Sequence, residues 1–149
     1  MKRVITTLLL VLALVPLILL SRWGGEAKAP WSVPKDGVRA RLVASRFIWR
    51  PDEAIDLHLR VENRSSETRV IGERIAGTLA LRHEKAEIAR FDEVAWRGPG
   101  AFTLAPGEVA DLSLGLAPRA EPGLYAIDGS LGYFSLLPLK LRVVKRRAT

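Results

Sequence analysis

The chain is written in a two-residue beat. Over Ile55–Asn63, Ile55, Leu57, Leu59 and Val61 are apolar, and Asp56, His58, Arg60 and Glu62 between them are polar. Successive side chains of a strand point to opposite faces, so the stretch has one apolar and one wet face; a helix would scatter the four apolar residues around its circumference. Asn63-Arg64-Ser65-Ser66 closes it with turn chemistry. The beat recurs on both sides. Val38, Ala40, Leu42 and Ala44 alternate with Arg39, Arg41, Val43 and Ser45. Ala110, Leu112, Leu114 and Leu116 alternate with Val109, Asp111, Ser113 and Gly115. Leu137, Leu139, Leu141 and Val143 alternate with Pro138, Lys140 and Arg142. Further strands are expected at Thr68–Ile71, Gly77–His83, Ala86–Phe91 and Gly123–Tyr133, the last bent at Gly129. Turns are expected at Arg50-Pro51-Asp52-Glu53, His83-Glu84-Lys85 and Pro118–Pro122. Ala105-Pro106-Gly107-Glu108 has Pro then Gly, as a type II turn prefers. Asp92–Gly100 reads as an irregular loop. Pro138 has no N–H for a ladder, which puts the last strand at a sheet edge.

Seven to eight short strands separated by turns predict an all-β, immunoglobulin-like antiparallel β-sandwich. One hydrophobic helix is expected to precede it. Met1-Lys2-Arg3 leads into Val4–Leu20, which carries no charge. Seventeen helical residues span about 25 Å, at the short end for a hydrocarbon core about 30 Å thick. Lys2, Arg3 and Arg22 can snorkel to extend the span, and Trp23 suits the interface. Ala27-Lys28-Ala29 is the small-x-small motif for cleavage, but it lies far beyond Leu20 and is followed by Pro30. An uncleaved signal-anchor is therefore favoured over a cleaved signal peptide. The positive-inside rule puts the remainder outside the cytoplasm. The expected organisation is residues 1–23 as anchor or signal, 24–36 as linker, 37–144 as sandwich and 145–149 as basic tail. The expected location is the bacterial cytoplasmic membrane, single-pass with the domain on the periplasmic side. A secreted or periplasmic protein is the alternative.

The net charge of +7 changes this picture little once it is located. Residues 30–149 hold 19 basic against 15 acidic residues, and Lys145-Arg146-Arg147 account for three of the surplus of four. A nucleic-acid surface needs basic residues concentrated on one face, so no nucleic-acid partner is expected. The chain has no cysteine, which rules out disulfides, thiolate metal sites and a lipoprotein anchor. His58 and His83 have no second ligand at metal spacing, and neither Asp52, Glu53 and Asp56 nor Asp92-Glu93 follows EF-hand spacing. No serine sits in a nucleophile elbow and no glycine-rich phosphate loop is present. The reading is a non-enzyme with no cofactor, no metal and no small-molecule substrate. Asn63-Arg64-Ser65 is formally a glycosylation sequon whose plainer reading is a turn. Trp and Arg are enriched at binding hot spots. The residues expected to contact a protein partner are therefore Trp96, Arg97 and Pro99, with Trp49-Arg50 as a second patch.

Three runs carry a family resemblance: Leu57-His58-Leu59-Arg60-Val61-Glu62-Asn63-Arg64-Ser65, Leu104-Ala105-Pro106-Gly107-Glu108, and Pro122-Gly123-Leu124-Tyr125. With them the chain resembles bacterial immunoglobulin-like and fibronectin-III-like sandwich domains, and more distantly the intracellular proteinase inhibitor (BsuPI-like) domain. The third run resembles a tyrosine corner, whose hydroxyl bonds to nearby backbone. The expected function is a membrane-tethered extracytoplasmic binding module, an accessory protein of a cell-envelope assembly that acts by protein–protein contact. The alternatives are a proteinase inhibitor, which the resemblance implies, and a carbohydrate-binding sandwich.

Overall fold

The computed structural model describes residues 25–116 and 120–145, apart from the side chains at 97–99 and 115–116. The expected membrane segment from Val4 to Leu20, its flanks Lys2, Arg3, Arg22 and Trp23, and the tail beyond Lys145 lie outside the described residues. Within them the chain is all-β, with nine strands: β1 (Ala27–Lys28), β2 (Val38–Ala44), β3 (Ile48–Trp49), β4 (Ile55–Asn63), β5 (Arg69–His83), β6 (Ala86–Leu104), β7 (Val109–Leu116), β8 (Gly123–Leu131) and β9 (Phe134–Val143). No helix forms there, so none is long and apolar enough to cross a membrane.

The strands make two sheets, ordered β1-β2-β4-β7 and β3-β9-β8-β5-β6. Their inner faces share one core. Leu42 of β2, Leu57 and Leu59 of β4 and Leu114 of β7 meet Leu79 and Leu81 of β5, Ile127 of β8 and Leu139 and Leu141 of β9. These are the alternate positions of the two-residue beat, and β4 lies between β2 and β7 on the four-stranded side. One end of the sandwich, here the proximal end, gathers the end of β2 at Ala44 and the starts of β1, β4 and β8. The end of β9 joins them there, because β3 follows β2 after three residues and pairs in parallel with Arg142–Val143. The opposite, distal end holds Asn63, the turn at Gly107 and the β8–β9 turn at Gly132-Tyr133.

Four expectations change. The linker 24–36 is not free over its middle. Ala27–Lys28 pairs with Val43–Ala44, the backbone continues alongside β2 to Ser32, and Ala27, Ala29 and Ser32 are buried. The strands expected at Thr68–Ile71 and Gly77–His83 merge into one, β5, which starts at Arg69, and the expected loop at Asp92–Gly100 lies within β6. Register shifts around Gly72 and Gly77 absorb what read as breaks. Where Gly98-Pro99-Gly100 was expected to end a loop, the four β6 residues between Arg97 and Phe102 stand opposite the single β5 residue Glu73. In the expected strand Ala86–Phe91 the apolar Ile88 is exposed, since the register also shifts between Leu81 and Arg82. By contrast, Glu84 and Lys85 both adopt positive φ in the hairpin tip, and Gly107 has φ +77° with Glu108 N donating to Ala105 O, as a type II turn requires. Leu137, expected on the face of Leu139, Leu141 and Val143, is instead exposed, because Leu137 and Pro138 bulge opposite Asp128 alone, at a point where β9 has no neighbour on its other side among the described residues.

Candidate functional site

The expected contact residues fall into two sets at opposite ends. Trp96 stands across from Ile75 at the distal end, half-buried and edge-on to Phe102 at 5.6 Å between ring centres. Arg97 pairs with Arg74, and Pro99 sits in the unpaired excursion of β6. Trp49 and Arg50 lie at the proximal end, and there the expectation of a surface patch is corrected. Trp49 is 2 % exposed, because β3 lays it against β9 and the core. Its indole Nε1 donates to the Arg46 carbonyl at 2.8 Å, and the Arg46 guanidinium lies 4.3 Å from its ring. Arg50 is exposed in a turn closed by Glu53, whose carboxylate accepts from Arg50 N at 3.0 Å.

The outer face of the four-stranded sheet is a charge lattice. Register sets Arg39 beside Glu62 and aligns Arg41, Arg60 and Asp111 across three strands. Arg60 donates from Nε and Nη2 to Asp111 at 2.7 and 2.8 Å, and reaches Glu26 at 3.1 Å. The hydrogen bond to Asp111 is the main cause that holds the Arg60 guanidinium above its ordinary value, and the same bond holds the Asp111 carboxyl below its own. Glu26 is likewise lowered, first by its bond from Arg60. Trp31 lies under two guanidinium groups, Arg39 at 4.3 Å and Arg41 at 4.2 Å. Arg41 is pulled below its ordinary value by burial, then by Arg60 and Arg39, and its Nε has no acceptor among the described residues. His58 pairs with Asp56 at 2.9 Å. Among the described residues no group of three metal-ligating side chains converges. Sequence reading put the strand residues of this lattice on the wet face and Glu26 and Trp31 in the linker, but missed their pairing, which depends on strand order and register.

The outer face of the five-stranded sheet carries a hollow of about 670 Å³ near the proximal end. Phe47, Leu124, Ala126 and Pro138 make its apolar wall, and Lys85 and Lys140 stand among its lining residues. Nothing in the sequence flagged it, since it depends on the β9 bulge and on how the hairpin tip leans over β8. Beside it Tyr125 donates from its hydroxyl to Glu121 O at 2.6 Å. Burial first, then the neighbouring Glu121, raises that phenol above its ordinary value. His83 stacks on Tyr125 with ring centres 5.0 Å apart, and its Nδ1 lies 2.8 Å from Leu124 O.

At the distal end Asn63 ties two turns together. Its amide nitrogen donates to Glu67 O at 2.7 Å and to Leu104 O at 2.9 Å, while its oxygen accepts from Ser65 N and Oγ. It is fully buried, so the sequon is closed in the folded chain. Around this end stand exposed large apolar side chains: Val33, Val70 at 68 %, Val109 and Tyr133. A scan against protein-family models finds no match for the chain, and a search of curated proteins finds none either. The class that can be stated is therefore architectural, a two-sheet all-β sandwich.

Proposed function

We propose that the chain is a non-enzymatic, immunoglobulin-like module held in the bacterial cytoplasmic membrane by Val4–Leu20. In this reading the sandwich lies on the periplasmic side and binds a protein partner of the cell envelope. The hydroxyl bond from Tyr125 to Glu121, two residues beyond Pro122-Gly123, supports the immunoglobulin-like reading. The tether rests on the positive lead and the uncharged run in the sequence. One observation carries the binding function: of the seven exposed large apolar side chains among the described residues, Val33, Val70, Val109 and Tyr133 stand around the distal end. Apolar side chains gathered at one end of a small domain mark a place where another surface is covered, whereas scattered ones carry no such meaning. Trp96 and the excursion at Gly98–Ala101 lie at the same end and add an aromatic anchor beside irregular backbone.

The test is photo-crosslinking in intact membranes. A crosslinking amino acid at Val70 or Val109 of the full chain is expected to give a discrete protein adduct. Placed at Glu87, on the hairpin away from that end, it is expected to give none. Val70→Asp should lower the yield at Val109 severalfold without unfolding an exposed site. Adducts no stronger at the distal end than at Glu87 would refute protein contact through this surface.

A further inference from the structure

Docking of β1 shortens the link between the membrane and the sandwich, and this inference rests on the anchored reading above. Only six residues, Ser21–Glu26, separate Leu20 from Ala27, the first residue paired in the sandwich among the described residues. Seven Cα steps at full extension reach about 25 Å. The headgroup layer on one side of a bilayer takes up about 5–7 Å of that. Strand β4 alone, nine residues long, is about 30 Å from end to end. The proximal end, where β1 starts, is therefore the end that can touch lipid, and the distal end stays away from it.

The hollow opens near that proximal end. Its wall of Phe47, Leu124, Ala126 and Pro138 is apolar, and Leu124 is 55 % exposed. Lys85 and Lys140 line it and make no ion pair among the described residues. Glu84 and Asp128 line it too, and Arg82 holds the Asp128 carboxylate at 3.1 Å. Lysines free to meet phosphate, beside apolar side chains free to enter the headgroup–acyl boundary, form the two halves of an interfacial lipid contact.

We propose that this hollow docks on the surface of the bilayer that holds the anchor. Leu124, Phe47 and Pro138 enter the boundary region, and Lys85 and Lys140 meet the phosphates of anionic phospholipids. The sandwich then lies on the membrane with its distal end turned outward, which leaves Val70, Val109 and Trp96 open to a partner.

The full chain has no cysteine, so single cysteines can be placed cleanly. Leu124→Cys and, at the distal end, Glu67→Cys are labelled with an environment-sensitive fluorophore. The proteins are reconstituted into phosphatidylcholine vesicles with and without phosphatidylglycerol, each containing a brominated lipid quencher. Alkaline carbonate extraction is done first. If the chain is extracted, both the anchor and the docking fall. If it stays with the lipid, quenching at Leu124 is expected to exceed that at Glu67 severalfold. It should fall when phosphatidylglycerol is omitted or Lys85→Glu is introduced, and it should survive a long Gly-Ser insertion after Trp23. Equal quenching at both ends, loss of quenching on lengthening the tether, or indifference to phosphatidylglycerol and Lys85→Glu would overturn the docking and leave the anchor standing. Melting curves of each variant check that the sandwich is intact.

Discussion

Asn63 closes β4 with its side chain fully buried, and each polar atom of its amide is used. Replacing it with Ala removes the donors that Leu104 O and Glu67 O take from its amide, the first of them in the interior, and the acceptor of Ser65 N. An unmet buried acceptor costs about 1–3 kcal/mol. Asn63→Ala is therefore expected to destabilise the chain by about 2–4 kcal/mol in urea unfolding. Ser65→Ala, which loses a more exposed hydroxyl, should cost about 1 kcal/mol or less. Tyr125→Phe separates the hydroxyl bond from the ring packing. It should cost about 1 kcal/mol while the far-UV spectrum stays that of the parent. In the sequence, Asn63 reads as a turn former and Tyr125 as a corner. Their partners, Leu104 and Glu121, are what turn those residue types into fasteners.

Between elements, two glycines set how closely β5 and β8 approach. A Cβ on Gly77 would sit 2.0 Å from Ser130 O, and one on Gly129 would sit 2.1 Å from Thr78 O. Both obstacles are backbone, so the strands must move apart, and Gly129 also has φ +148°. Gly129→Ala is expected to cost at least about 2–3 kcal/mol, from overpacking and left-handed backbone strain together, read as a fall in the urea midpoint. Gly72→Ala is a control for φ strain alone, since no described residue lies within 4 Å of its Cβ position. An irregularity at Gly129, where the β8–β9 register shifts, was legible in the sequence, but the carbonyl the glycine makes room for was not. The link between β4 and β7 carries a pH dependence. The folded pKa of Asp111 is depressed, chiefly by its bond from Arg60. The stability this adds is complete above the unfolded value near 4 and is lost as pH falls through the lower folded value. The chain should weaken on acidification below about pH 4, and Asp111→Asn should flatten that limb. With the Asp111 side chain 41 % exposed, the loss at neutral pH should stay under about 1 kcal/mol.

At the scale of the molecule, the segment before β2 belongs to the sandwich. Ala27 and Ala29 are buried in the core, and Ser32 exchanges two hydrogen bonds with Ala40, through its own N–H and through its Oγ. A fragment that starts at Gly25 is therefore expected to melt higher than one that starts at Asp36. The difference should be about 2–4 kcal/mol from two buried methyl groups and several backbone bonds. Equal stability would mean that 25–35 is only a tether. The same attachment keeps the sandwich close to whatever holds the preceding residues, and it makes the two ends of the domain unequivalent.

The sequence by itself determined the class of fold. Alternation is a local property, so Ile55–Val61, Leu112–Leu114 and Leu139–Val143 could be assigned an inner face without knowing their neighbours. Turn chemistry is equally local, which is why Glu84-Lys85 and Pro106-Gly107 were found where expected. Tertiary structure alone decided three things. It buried Trp49, because an aromatic beside a turn is surface or core according to what packs over it, here β9. It joined two expected strands into β5 and drew an expected loop into β6, because pairing with register shifts outweighs the breaking tendency of Gly72 and Gly77. And it made the surfaces: the Arg60 lattice, the hollow at Leu124 and the apolar distal end each bring together residues far apart in the chain, and strand order and register fix such meetings where no local pattern records them.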